Sequence, residues 1–270
     1  MRNAFLRACR LDVAVRKPGN VSVESPGHGM QAAQFVASAE AAAGPLLRSG
    51  ARVGERIEGA VEASWAAAGC NTNLGIVLLA APLAAAAERR PQPLREALED
   101  VLAGLSLDDA AAAFRAITRA NPGGLGRAEA EDVHAPPTLD LRAAMALAAG
   151  RDRIARQYTD GFADIFALAP PALPAADGPD LARIVRRTFV AFLARWPDSH
   201  IVRKHGEAVA HSVMAAAQAW ARAADAPFDA AAWAQWDETL KAQAINPGTS
   251  ADLTVAALFV AGLQAAWHGS

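Results

Sequence analysis

Alanine-rich amphipathic patterns with a helical period recur along nearly the whole chain and leave little room for any other secondary structure. They run over Ala4 to Val15, Gln31 to Ala43, Val53 to Ala68, Leu74 to Glu88, Pro93 to Leu102, Asp108 to Ala120, Leu139 to Ala149, Arg151 to Ala167, Asp180 to Arg195, Glu207 to Ala223, Asp229 to Ala244 and Leu253 to Trp267. Alanine is the strongest helix former, and the alternating β-branched runs that build sheets are absent. An all-α protein is expected. Gly and Pro punctuate the pattern at Asn121 to Gly126, at Pro136-Pro137 and over Ala169 to Pro179. The last stretch is short enough for an ordinary inter-helix loop. With related polar segments on both sides of it, residues 1–270 are expected to form a single compact multi-helix domain. No fixed period indicates a solenoid.

Composition narrows the function classes. The chain is 53% apolar and 20% charged over 270 residues, enough for a sizeable core, and its formal net charge is −2. That balance speaks against broad attraction to nucleic acid or to an anionic membrane. Cys9 and Cys70 lie far apart and form no Cys-x-x-Cys pair, which fits a reducing cytoplasm better than a disulfide framework. Met1 to Val15 carries scattered Arg2, Arg7, Arg10 and Asp12 rather than a leader pattern. The longest apolar runs are broken by Pro82, or by Thr254 and Gln264, and are read as core helices that fall short of a bilayer span.

Three polar, glycine-containing segments abut these helices. Gly69-Cys70-Asn71-Thr72-Asn73-Leu74-Gly75 runs straight into the apolar block Ile76 to Ala87. Asn and Thr side chains cap helix starts, and the amides left over favour phosphate or carboxylate. Asn246-Pro247-Gly248-Thr249-Ser250-Ala251-Asp252 precedes the last apolar run in the same way, with Thr249 or Ser250 as cap and Asp252 in the first turn. Lys17-Pro18-Gly19-Asn20 leads into a Gly/Pro/His loop ending at Met30. Each is compatible with a capped helix and no ligand; their recurrence points to one shared pocket lined by polar loops.

Other clusters carry chemistry of their own. Asp198-Ser199-His200-Ile201-Val202-Arg203-Lys204-His205-Gly206, following a helix that ends near Trp196-Pro197, packs one acid, two imidazoles and two cations into nine residues, a density unusual for a mere connector though compatible with a solvated charged turn. Arg203 and Lys204 suit phosphate oxygens, while Asp198 suits Mg²⁺ or the orientation of His200. Asp152 and Arg156 are spaced for an exposed ion pair, and of Arg153 and Tyr158 one can reach inward. The glycine loop Gly123 to Gly126 with Arg127 can cradle a phosphate, but it is neither a P-loop nor a dinucleotide fingerprint. His134 and His268 have no evident partners, and His211 sits on an amphipathic helix. A zinc protease motif, a Gly-x-Ser-x-Gly elbow and a heptad seam are all missing.

Taken in order, Lys17-Pro18-Gly19-Asn20-Val21, His28 and Met30 with Phe35 and Ser38, Asn71-Thr72-Asn73-Leu74-Gly75, Asp152-Arg153-Ile154-Ala155, Asp198-Ser199-His200-Ile201 and Pro247-Gly248-Thr249-Ser250-Ala251-Asp252-Leu253 resemble the triphosphoribosyl-dephospho-coenzyme A synthase family over almost the entire chain. The resemblance implies an all-helical transferase that condenses ATP, with Mg²⁺, and 3′-dephospho-coenzyme A with release of adenine. It implies a small-molecule nucleotide substrate and no nucleic acid or membrane partner. On that basis Lys17, Asn20, Asn71, Thr72, Asn73, Arg127, Arg153, Arg203, Lys204, Thr249 and Ser250 are expected to bind substrate or phosphate. Asp198 and Asp252 are expected to hold metal or stabilise cationic charge, and His28 and His200 to handle protons.

Two departures stand out. The synthases usually read Asn-Thr-His-Lys-Gly where this chain has Asn71-Thr72-Asn73-Leu74-Gly75, and they carry an Asp before the Met where Gly29 stands. The Asn-Thr-Asn-Leu-Gly form, with Asn121-Pro122-Gly123-Gly124-Leu125-Gly126 and Asp132-Val133, resembles a divergent branch of archaea and methylotrophic bacteria. That likeness implies, as alternatives, a role in tetrahydromethanopterin one-carbon cofactor synthesis or a non-catalytic metabolite- or partner-binding protein.

Overall fold

A computed structural model describes residues 1–123, 126–127, 130–224 and 226–268, with the side chains of Trp267 and His268 left out. Among the described residues it has fourteen α-helices and no named strand. The first ten are α1 (Arg2–Ala14), α2 (Ala32–Leu46), α3 (Val53–Ala68), α4 (Leu74–Ala87), α5 (Leu94–Ala103), α6 (Leu107–Ala120), α7 (Leu141–Ala148), α8 (Arg153–Thr159), α9 (Ala163–Leu168) and α10 (Pro179–Leu193). The last four are α11 (Ser199–His205), α12 (Glu207–Arg222), α13 (Ala230–Ala242) and α14 (Gly248–His268). The all-α expectation holds.

Helices α4 and α14 form the centre of the core. Thirteen of the fourteen residues of α4 are buried, which explains why it is apolar on all sides rather than on one face. It packs against α3, α5 and α14, while α14 also meets α1 and α10. A smaller apolar cluster joins α10, α12 and α13 through Phe189, Leu193, Val213, Trp233 and Leu240. Pro82 sits inside α4 and has no amide to give the carbonyl of Leu78, one turn back. The buried Tyr158 hydroxyl donates to that oxygen instead, at 2.6 Å. The only tyrosine in the chain is thereby explained by the proline it serves.

Several expectations are corrected by the fold. The segment Arg151 to Ala167 is two helices, because Phe162 takes a left-handed conformation beside Gly161 and ends the run after α8. The charged connector after Trp196-Pro197 is itself a short helix, α11, capped by Asp198. Arg156 pairs with Asp160 rather than with Asp152. His134 does have a partner, Asp132, at 2.7 Å. Helix α14 begins at Gly248, so its apolar stretch is longer than read: by length and composition it could cross a bilayer, but 72% of that window is buried inside the fold.

Candidate functional site

The starts of α4, α8, α11 and α14 converge on one cavity of about 940 Å³. Polar side chains tie three of these starts together. Asp198 is buried, and its Oδ1 accepts from the amides of His200 and Ile201 while its Oδ2 accepts from the amide and hydroxyl of Ser250. The amide of His200 also donates to Thr249 Oγ1, and the amide of Arg153 to Ser199 Oγ. Asp152 caps α8 through the amides of Ile154 and Ala155 and holds Arg203 at 2.6 Å. At the start of α4, Asn71 Oδ1 accepts from the Leu74 amide. Thr72 donates to Ser38 and Asn73 to Ser64, so these two brace the loop from behind instead of capping it.

The cavity wall includes most of the residues singled out in the sequence: Asn20, His28, Asn71, Thr72, Asn73, Arg127, His200, Arg203, Lys204, Thr249 and Asp252. Four others stand behind it. Lys17 is fully buried and bonds Asp12, with Nζ to Oδ1 at 2.9 Å, so its charge is already neutralised at the end of α1. Arg153 stacks on Trp196 at 3.9 Å and pairs with Asp164 at 2.5 Å. Ser250 and Asp198 are bonded to each other, and the four donors on Asp198 fill its acceptor sites, leaving none for a metal. Of the glycine loop, Gly124 and Leu125 lie outside the described residues. Asn121, Asp152 and Asn246, from segments already singled out, also line the cavity, and so does Asp12, which nothing local marks. An aspartate on an amphipathic helix reads as a surface charge until the fold turns it inward.

Asp252 differs from every other carboxylate on the wall. None of the described residues donates a hydrogen bond to it, and burial, with Asp12 and Asp198 nearby, pushes its carboxyl well above the usual range. Gly75 admits it to the start of α4: a Cβ built there would lie 2.0 Å from Asp252 Oδ2. Beneath them Cys9 is buried, its thiol pushed up by burial and by Asp12 and Asp252. His200 is held neutral. Burial, Lys204 and Arg203 push it down to about 3, and its Nε2 is buried without a partner. His28 Nε2 lies 2.7 Å from the carbonyl of Gly19. Another part of the cavity wall is apolar, built by Phe114, Ile117, Leu141 and Met145 from α6 and α7. Such a site can hold an anion beside the cations, seat a flat or apolar group against that part, and face positive charge with one free carboxylate.

The family model described as CitG, ATP:dephospho-CoA triphosphoribosyl transferase, matches residues 1–270. The chain belongs to that family. It is a transferase family whose substrate is ATP. Among solved structures, a protein from Archaeoglobus fulgidus assigned as a triphosphoribosyl-dephospho-CoA synthase superposes with a TM-score of 0.68 at 25% identity, covering 85% of this chain and 99% of the other. None of the curated proteins matches. The CitG membership thus agrees with the resemblance carried by the short motifs, and neither comparison speaks for the one-carbon alternative.

Proposed function

We propose that the protein transfers the triphosphoribosyl group of ATP to a ribose hydroxyl of 3′-dephospho-coenzyme A, with the chemistry centred on Asp252. The observation that carries this reading is a carboxylate without donors on the wall of a large cavity that also presents Arg203, Lys204 and Arg127. In the transfer, the bond from C1 of the ATP ribose to adenine breaks and its electron pair leaves with the base, which takes up a proton. The acceptor hydroxyl forms the new bond to C1 and loses its proton. Positive charge builds on the ribose between those events, and a fixed carboxylate beside it stabilises it.

The remaining roles follow from position. Arg203, Lys204 and Arg127 supply cations for the triphosphate, together with the amides at the start of α4. The imidazoles of His200 and His28 move the two protons. A cavity of about 940 Å³ lies at the upper end of the ~300–1,000 Å³ found for small-molecule sites, which suits two nucleotides. The Mg²⁺ expected with ATP does not find a two-carboxylate site: Asp198 is saturated, and among the described residues no group of three metal-binding side chains converges. No step is therefore assigned to it. Two free cysteines accord with action in a reducing cytoplasm.

Incubation of the chain with ATP, Mg²⁺ and 3′-dephospho-coenzyme A should release adenine in step with a mass adduct of the acceptor. Asp252→Asn should lower kcat by about 10²–10³-fold. It should also raise thermal stability, because a carboxyl whose proton is held more tightly in the folded state costs stability when ionised at neutral pH. Failure of the wild-type chain to release adenine, with no ATP binding by titration calorimetry, overturns the reading.

A further inference from the structure

A buried polar cluster outside the cavity has no part in the chemistry above. Asp237, on α13, is fully buried. Its Oδ1 accepts from the amide of Gly19 at 2.8 Å, and its Oδ2 accepts from Ser25 Oγ at 2.7 Å and Lys241 Nζ at 3.0 Å. The Gly19 and Ser25 contacts reach back more than two hundred residues, into the loop between α1 and α2 that goes on to carry His28. A second tie from α13, Trp233 Nε1 to the carbonyl of Arg16 at 2.9 Å, holds the same loop at its entrance. Gly19 is pinned further, since a Cβ there would lie 2.6 Å from Pro247 and its φ is +81°. The next link is the carbonyl of Gly19, 2.7 Å from His28 Nε2.

A carbonyl oxygen can only accept, so the ring proton must be on Nε2 and the lone pair on Nδ1. His28 itself is held at φ +56°, a conformation that a free loop would not keep. The chain of contacts runs from a buried carboxylate through one glycine to the imidazole on the cavity wall. We propose that Asp237 is a positioning residue for the transfer reaction, acting through Gly19 to fix the tautomer and aim of His28. Its touch on the substrate is indirect, because it does not line the cavity. The inference rests on the transferase reading for its purpose, but its geometry can be tested without any substrate.

Nitrogen-15 NMR of the full-length, ligand-free chain, at a pH above the ordinary imidazole range near ~6.5, reads the tautomer directly. The wild-type His28 ring should carry its proton on Nε2, and the Gly19 amide should be protected from exchange. Asp237→Ala should give a mixture of tautomers, while Asp237→Asn, whose side-chain oxygen still accepts from Gly19, should retain Nε2–H. A wild-type proton on Nδ1, an unprotected Gly19 amide, or an Asp237→Ala ring identical to wild type overturns the inference, and the first two need no variant to fold. In turnover, Asp237→Ala should lower kcat about tenfold with KM for ATP unchanged, and lower it no further in a His28→Ala background. Equal losses in both backgrounds would mark a purely structural role. If wild-type turnover is absent while the tautomer and its response to Asp237→Ala are as expected, the transferase reading fails and the positioning of His28 stands.

Discussion

The α11–α14 junction and the α4–α14 junction each contain an aspartate beside helix starts, and the two are built in opposite ways. Asp198 accepts four hydrogen bonds and joins the starts of α11 and α14. Asp252, two residues beyond Ser250, accepts none from the described residues and presses against a glycine at the start of α4. Burial pushes both carboxyls up, but only Asp198 has donors that pull it back. A buried acid with every oxygen engaged belongs to the architecture; one left without donors is available to a ligand.

The contrast breaks most readily at Asp198. Asp198→Ala would take the acceptor from three donors, the Ile201 amide and the Ser250 amide and hydroxyl, and remove the cap of α11, at a cost of about 3 kcal/mol in chemical denaturation. If it instead leaves stability unchanged while abolishing turnover, the assignment of roles is reversed. Gly75→Ala tests the other side, since the new methyl must displace Asp252 or Ile154. It should cost about 1–3 kcal/mol and lower kcat as Asp252 loses its seat. A variant with wild-type kcat would show that the close approach has no catalytic consequence.

The smallest effect is a pH dependence. His200 is depressed to about 3, so the stability that comes from keeping it neutral is complete above its unfolded value near 6.5 and is lost as pH falls towards 3. The contribution to the slope is at most about 1.4 kcal/mol per pH unit. His200→Gln should flatten the melting curve against pH between those limits, and an unchanged profile would mean that the ring is not desolvated. The carboxyls at Asp198 and Asp252, raised in the fold, act with the opposite sign, losing stability as pH rises through their folded values.

Local sequence chemistry made a large part of this legible. Alanine-rich periodicity is decided within a few turns, and most helices lie close to where it places them. The polar segments around Asn71 and Thr249 could be read as helix starts because caps and glycines act over four or five residues. The hidden parts depend on partners distant in the chain. Lys17 looked like a phosphate ligand because nothing nearby discloses that the fold buries it on Asp12. The segment around His200 hid a helix, since seven residues with five polar side chains show too little periodicity. Asp237 is buried against Gly19, more than two hundred residues away, and nothing near it in the chain marks that burial.

The bond from Tyr158 to the carbonyl left open by Pro82 has a mechanical consequence. Leu78, Ile154 and Ala155 all face the cleft, and this hydroxyl clamps the two helices that bear them. One side of the vessel is therefore braced by a buried side-chain bond across two helices. Accommodating guests of different length falls to the apolar side chains of α6 and α7 outside this clamp, so variants that tune substrate choice should be sought there.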